Sequence, residues 1–154
     1  MDGIKIMARN RRAGHDYFLE ESLEAGLVLV GSEIKSIRQG KVTLSDGYVE
    51  WREGELWLLN VHISSYEQAG IYGRVDPMRP RKLLMHRKQI RELRARIRER
   101  GYTIVPTMVY LRDGRAKVEI ALAKGKRQYD KREAIAKRDS EREVRQAMKE
   151  RGRE

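Results

Sequence analysis

The 154-residue chain is expected to fold as a mainly β domain, a small antiparallel barrel with one packed helix, followed by a basic C-terminal tail. Three observations lead there. β-rich runs follow one another with turn signals between them and do not alternate with helical segments. A single stretch, about 82–100, carries apolar residues at helical spacing. From Lys124 onward the apolar content collapses, while Ala, Arg, Lys, Glu and Gln keep helix propensity high.

The elements follow in order. Ile4–Ala8 reads as a short strand and Arg9–Gly14 as a basic loop. Tyr17 and Leu19 alternate with Phe18 and Glu20, which suits a strand; Glu21–Ala25 is at most a helical turn closed by Gly26. Leu27–Val30 is β-branched and apolar, and with Ile34 and Ile37 it predicts one long strand bent at Gly31. Tyr48–Trp51 and Leu56–Ile63 flank Arg52–Glu55 and predict a hairpin. Residues 64–80 hold Gly70, Gly73, Pro77 and Pro80 and predict a loop. Leu83, Leu84, Ile90, Leu93 and Ile97 give the helix its stripe, its opposite face is mostly Arg, and Gly101 ends it.

Tyr102–Leu111 is strand-like, with Pro106 marking an edge or a bulge. Asp113-Gly114 is the strongest hairpin signal, and Val118, Ile120 and Leu122 alternate with Lys117, Glu119 and Ala121. About six strands joined by hairpins, with one inserted helix, favour a five-stranded barrel of the oligonucleotide-binding type. It would span residues 1–123, with the tail at 124–154. Its segment 130–154, stretched as a helix, would reach roughly 37 Å, against a radius of gyration of about 15 Å for a domain of this size. It is expected to be disordered alone and to turn helical in an anionic groove.

Net charge is +11, and its distribution is uneven. Residues 16–78 carry net −6, 79–100 net +8 and 124–154 net +5. Such segregation is the electrostatic footprint of a phosphate partner, with nucleic acid ahead of an anionic membrane. There is no Cys, hence no disulfide frame or thiolate chemistry. No run approaches the ~18 apolar residues of a membrane span, and the N-terminus has no apolar signal core, so a cytoplasmic protein is expected. His15, His62 and His86 are far apart, and no metal, phosphate-loop or nucleophile motif is present. His62 reads as packed or hydrogen-bonded in its strand rather than as a base. Glu20-Glu21 and Glu53/Glu55 read as solvated turn carboxylates rather than Mg²⁺ ligands. An enzyme is therefore not expected, nor a cofactor.

Five segments stand out together: Asn10–Ala13, Glu24–Gly26, Gly31–Arg38, Arg81–Leu84 and Ala123–Glu133. In order and spacing they resemble the SsrA-binding protein (SmpB) family, the partners of transfer-messenger RNA (tmRNA) in bacterial ribosome rescue. The resemblance runs over nearly the whole chain. It implies an oligonucleotide-binding barrel that grips the tRNA-like domain of tmRNA. It places RNA contacts at Asn10, Glu24, Leu84 and His86, with Arg11, Arg12, Gly26 and Lys82 in the matching motifs. Lys35, Arg38 and Lys117 fall at matching basic positions. Because a carboxylate repels phosphate, Glu24 would accept from base edges or sugar hydroxyls, orient a neighbouring Arg, or cap its turn.

In the tail, Gly125-Lys126-Arg127 matches the family's Gly-Lys-Lys with Arg for the second Lys, and Asp130-Lys131-Arg132 matches its Asp-Lys-Arg. Tyr129 stands where some relatives carry His; it can stack on a base but does not titrate near neutrality. The resemblance implies that the tail enters the decoding centre and the empty mRNA channel of a stalled ribosome. It also implies delivery by elongation factor Tu, acting through alanyl-tmRNA, with the protein a monomer on the RNA. The alternative is a constitutive ribosomal or other non-catalytic RNA-binding protein.

Overall fold

Branched and aromatic side chains at alternate positions commit Tyr102–Arg112 and Arg115–Gly125 to extended backbone, and Asp113-Gly114 folds one onto the other. Both turn residues have positive φ, 50° and 80°, the geometry whose twist suits a two-residue hairpin. A computed structural model describes residues 3–65, 75–99 and 101–126, and this hairpin is its centre. The elements are β1 (Ile4–Arg9), α1 (Ala13–Asp16), β2 (Tyr17–Leu27), α2 (Gly31–Arg38), β3 (Val42–Thr43), β4 (Tyr48–Arg52), β5 (Glu55–Leu59), β6 (His62–Ile63), β7 (Arg81–Leu84), α3 (Arg87–Ile97), β8 (Tyr102–Arg112) and β9 (Arg115–Gly125).

The main sheet is antiparallel, in the order β1-β8-β4-β5-β7-β2-β9, and β9 returns to pair with β8. The strands thus run round in a ring. Its seam is one residue pair, Val49 opposite Ile104, so the ring is not laddered shut as a full barrel. β3 and β6 form a small separate ribbon. Inside the ring, Leu56, Leu58, Leu83, Ile104, Val118, Ile120 and Leu122 are buried. Each such side chain stabilises the fold by about 1.5–3 kcal/mol. α3 docks Ile90 and Leu93 on this core. Val105, next to the inward-facing Ile104, meets Ala13, Ala123 and Tyr17 and fixes α1 on the opposite face of the sheet. No helix among the described residues is long and apolar enough to cross a membrane.

The mainly β reading holds, and both hairpins lie where the turn residues put them. The hairpin at Glu53-Gly54 again has two positive φ values, 50° and 82°. Four local expectations are corrected. Residues 21–25 are strand, not a helical turn: Ser22–Gly26 pair with Lys117–Ala121 of β9, past a bulge at Glu20-Glu21. The long strand stops at Leu27, and Gly31–Arg38 is a second packed helix. Glu33, Ser36 and Ile37 share its buried face, and the Glu33 carboxylate accepts from the Val30 N–H to start it. The expected helix over 82–100 is shorter, because Arg81–Leu84 pairs with β5 and β2 as a strand before α3 begins. Of the two readings of Pro106 the bulge holds: β8 is paired on both sides, and Pro106 sits at a register shift, so that Thr107 bulges from the ladder to β9. His62, expected to be packed, is exposed.

Candidate nucleic-acid interface

Strand register builds the site. Tyr110 on β8 lies opposite Lys117 on β9, Lys117 opposite Gly26 on β2, and Gly26 opposite Leu84 on β7. Ala25 points into the core, so its neighbours Glu24 and Gly26 face outward. Four residues picked from the sequence, Glu24, Gly26, Leu84 and Lys117, therefore meet on one outer face. Leu84 is 53% exposed, unusual for a leucine in a sheet. Gly26 admits it: a Cβ at position 26 would sit 3.1 Å from the Leu84 Cβ.

Glu24 is the polar centre of this face. Its Oε2 accepts from the Tyr110 hydroxyl and, at 3.0 Å, from the Arg112 Nε. The hydroxyl bond draws its carboxyl below the usual range; partial burial opposes this, and Arg112 and Lys117 add to it. Burial, reinforced by Glu24, pushes the Tyr110 hydroxyl up to about 12. Glu24 is thus ionised and Tyr110 protonated at neutral pH. Of the roles open to Glu24, the geometry realises the orienting of an arginine, and the turn it was to cap does not exist. Oε1 has no donor among the described residues and remains an acceptor.

The bulge extends the face. Thr107 Oγ1 donates to Glu119 Oε2 at 2.7 Å, and the Thr107 carbonyl accepts from the Asn10 backbone N–H at 2.8 Å. Asn10 works as a staple: its Nδ2 donates to the carbonyls of Pro106 (2.8 Å) and Leu44 (3.2 Å), while Oδ1 accepts from the Ala13 N–H. The amide sets the turn that carries the exposed Arg11 and Arg12.

A family model described as SmpB protein matches residues 7–150. This chain belongs to the SmpB family. It is 56% identical to the SsrA-binding protein of Roseiflexus castenholzii, over 97% of this chain and 94% of the relative. Likewise it is 53% identical to that of Caldicellulosiruptor saccharolyticus, over 97% and 94%. A solved structure described as "tmRNA-SmpB: a journey to the center of the bacterial ribosome" is 44% identical, with a TM-score of 0.67, covering 83% of this chain and 93% of that one.

The remaining residues picked by the resemblance lie elsewhere in the fold. Lys82 pairs with Trp57 and has its Nζ 3.5 Å from Glu55, beside the row that ends at Leu84. His86 is not within a helix turn; it is the exposed residue at the start of α3, where Gln89 bonds its backbone N–H. Lys35 and Arg38 are in the last turn of α2, outside the strand row. Gly125 closes β9 opposite Tyr17, and Lys126 donates to the Gly14 carbonyl at 2.9 Å. Arg127, Tyr129, Asp130, Lys131 and Arg132 lie outside the described residues.

Two cations of the basic stretch are consumed internally. Arg81, fully buried, donates to Glu33 Oε2 at 2.7 Å and to the carbonyls of Val61 and Pro77; Arg79 donates to Glu33 Oε1. Burial lowers the Arg81 pKa against the pull of Glu33, whereas burial of Glu33 is outweighed by Arg79, Val30 and Arg81, and its carboxyl falls. Sequence reading missed Tyr110, Arg112 and Thr107 on the outer face. Tyr110 and Arg112 do alternate on one side of β8, but no local signal says that β2 will bring a carboxylate to them.

Proposed function

We propose that this chain binds the tRNA-like domain of tmRNA with the outer face around Glu24, Gly26, Leu84 and Lys117, and helps deliver alanyl-tmRNA to stalled ribosomes. The observation that carries the reading is the strand register, which gathers these residues from three separated segments in an SmpB-family chain. The solved structure it resembles is described as tmRNA-SmpB at the centre of the bacterial ribosome, which supports both partners. Arg112, aimed by Glu24, and Lys117 meet phosphate; Leu84 offers an apolar contact to a base or sugar; Glu24 Oε1 accepts from a base edge or 2′-hydroxyl. Arg11, Arg12, Lys35, Arg38, Lys82 and His86 add positive or polar contacts around this face.

In this proposal residues 1–123 are the RNA-binding body and 124–154 are the tail. The tail residues Lys126, Arg127, Tyr129, Asp130, Lys131 and Arg132 read the decoding centre and the vacant mRNA channel, and a channel filled by message excludes them. The protein acts as a monomeric adaptor in the cytoplasm, where the ribosome works. Elongation factor Tu meets it through alanyl-tmRNA. The chain contributes no chemistry of its own, and peptide transfer stays with the ribosome.

With about six phosphates neutralised, log affinity for the tRNA-like RNA falls against log salt with a slope near −4, at roughly 0.7 per contact. Filter binding over a salt series measures it, and a slope near zero means the cationic surface is not the interface. Asp130, Lys131 and Arg132 changed together to Ala leave that affinity nearly intact and abolish peptide tagging. Equal loss of both activities would refute the division between body and tail.

A further inference from the structure

Beyond Leu84 the outer face opens into a cleft of about 670 Å³, bounded by the β4–β5 turn, β7 and α3 from Arg87 to Arg94. Ligand sites commonly run from about 300 to about 1,000 Å³. Its floor is apolar, made by the buried Leu83 and Ile90. One wall is Trp51, and the Arg94 guanidinium carbon sits 3.8 Å over the centre of the indole ring. Arg87, Arg91 and Arg94 recur at i, i+4 and i+7, so α3 presents all three along one stripe to the cleft. Arg87 and Arg91 are exposed and make no ion pair among the described residues. Arg94 is committed to the indole, but Arg87 and Arg91 have no ion-pair partner among the described residues, and an anionic occupant would relieve the repulsion among the three cations.

The shape and charge choose the occupant. A planar guanidinium held on an indole is a preorganised stacking platform, and unstacked bases are recognised by just such surfaces. The two free arginines one turn away are placed for phosphate. Glu53 and Glu55, on the opposite rim, repel an acidic peptide yet accept from exocyclic amines and sugar hydroxyls. We propose that this cleft receives a single unstacked nucleotide of the bound RNA, its base stacked on Arg94 over Trp51 and its phosphate met by Arg87 and Arg91. Leu84, shared by the outer face and the cleft, directs the strand from one to the other. The inference rests on the RNA-binding reading above.

The test is ultraviolet crosslinking of the full chain to the tRNA-like domain of tmRNA, with adducts mapped by mass spectrometry and affinities measured in parallel. A nucleotide adduct within 51–55 or 82–94 is expected. Arg94→Ala should remove it and weaken binding roughly 5- to 150-fold, the loss of one base stack. Arg94→Lys, which keeps the charge but not the plane, should not restore it. An unchanged denaturation midpoint shows that each variant is folded. Lys117→Ala should weaken binding on the outer face and leave the cleft adduct in place.

If Arg94→Ala binds as tightly as the parent and the adducts fall only on the outer face, the cleft proposal is wrong and the outer-face reading stands. Full rescue by Lys means a point charge and no stack, which also overturns it. If the intact chain fails to bind this RNA at all, the reading beneath both is lost. Quenching of tryptophan fluorescence by a hexaglutamate peptide and not by RNA assigns the cleft to an acidic protein segment, and the nucleotide proposal falls.

Discussion

Glu33 on α2 and Glu24 on β2 both accept from arginines far away in sequence, Glu33 from Arg81 and Glu24 from Arg112. They differ in water. Glu33 and Arg81 are 1% and 0% exposed, whereas Glu24 and Arg112 keep about a third of their side-chain surface in solvent, at 36% and 37%. A buried pair has no replacement partner, so its geometry becomes part of the fold. A half-exposed pair is worth little to stability, and its arginine keeps donors for a ligand. Similar chemistry thus yields a structural lock at one place and an aimed cation at another, and burial makes the difference.

The largest effect expected from this contrast is at Arg81. Arg81→Ala leaves Glu33 buried without its full complement of donors and should cost about 3–5 kcal/mol, read from the denaturant midpoint at neutral pH. Replacing Glu33 by Leu and Arg81 by Met together should recover part of that loss, because no fully buried charge is left unpaired and Arg79, which also donates to Glu33, reaches solvent. A single variant as stable as the parent would mean that water reaches this pair.

Next in size is the acid limb of the stability curve. The folded pKa of Glu33 lies below its ordinary value, so its contribution is complete above about pH 4.5 and is lost as pH falls through the lower folded value. Denaturant midpoints taken from about pH 6 down to about pH 2 should decline along this limb. Glu33→Gln, already destabilised at neutral pH, should show a flatter decline. An identical decline in both proteins assigns the limb to other carboxylates.

The smallest stability change belongs to the exposed pair. Glu24→Gln should alter stability by less than about 1 kcal/mol while weakening RNA binding. It should also bring the Tyr110 hydroxyl down from about 12 toward the ordinary tyrosine value without reaching it, since burial is the larger cause. Tyrosinate absorbance against pH reads this shift. A Tyr110 titration unmoved by the substitution would show that Glu24 does not hold the hydroxyl.

Turns were legible because their chemistry is local. Glu53-Gly54 and Asp113-Gly114 supply the positive φ pairs that their hairpins need, within two residues each. The start of α2 was not. Leu27–Val30 looks like the beginning of a long strand, and Gly31 like a bend within it. The helix begins there because Glu33 binds the Val30 N–H and is itself held by Arg79 and Arg81, more than forty residues on. Leu83 and Leu84 misled for a similar reason: they fit the helical spacing of Ile90 and Leu93, but pairing with β5 and β2 sets one inward and one outward. Asn10 was picked by resemblance as an RNA contact; only the fold reveals it as the staple of the basic turn.

What the amino-acid order determined by itself was the alternation of the strands, the two tight turns, the uneven positive charge and membership of the SmpB family, because each is carried by neighbours in the chain or by the pattern as a whole. The tertiary structure alone decided which arginines are spent inside and which are offered outside. That choice depends on strand register and on the exclusion of water, and both arise only when segments dozens of residues apart come to lie side by side.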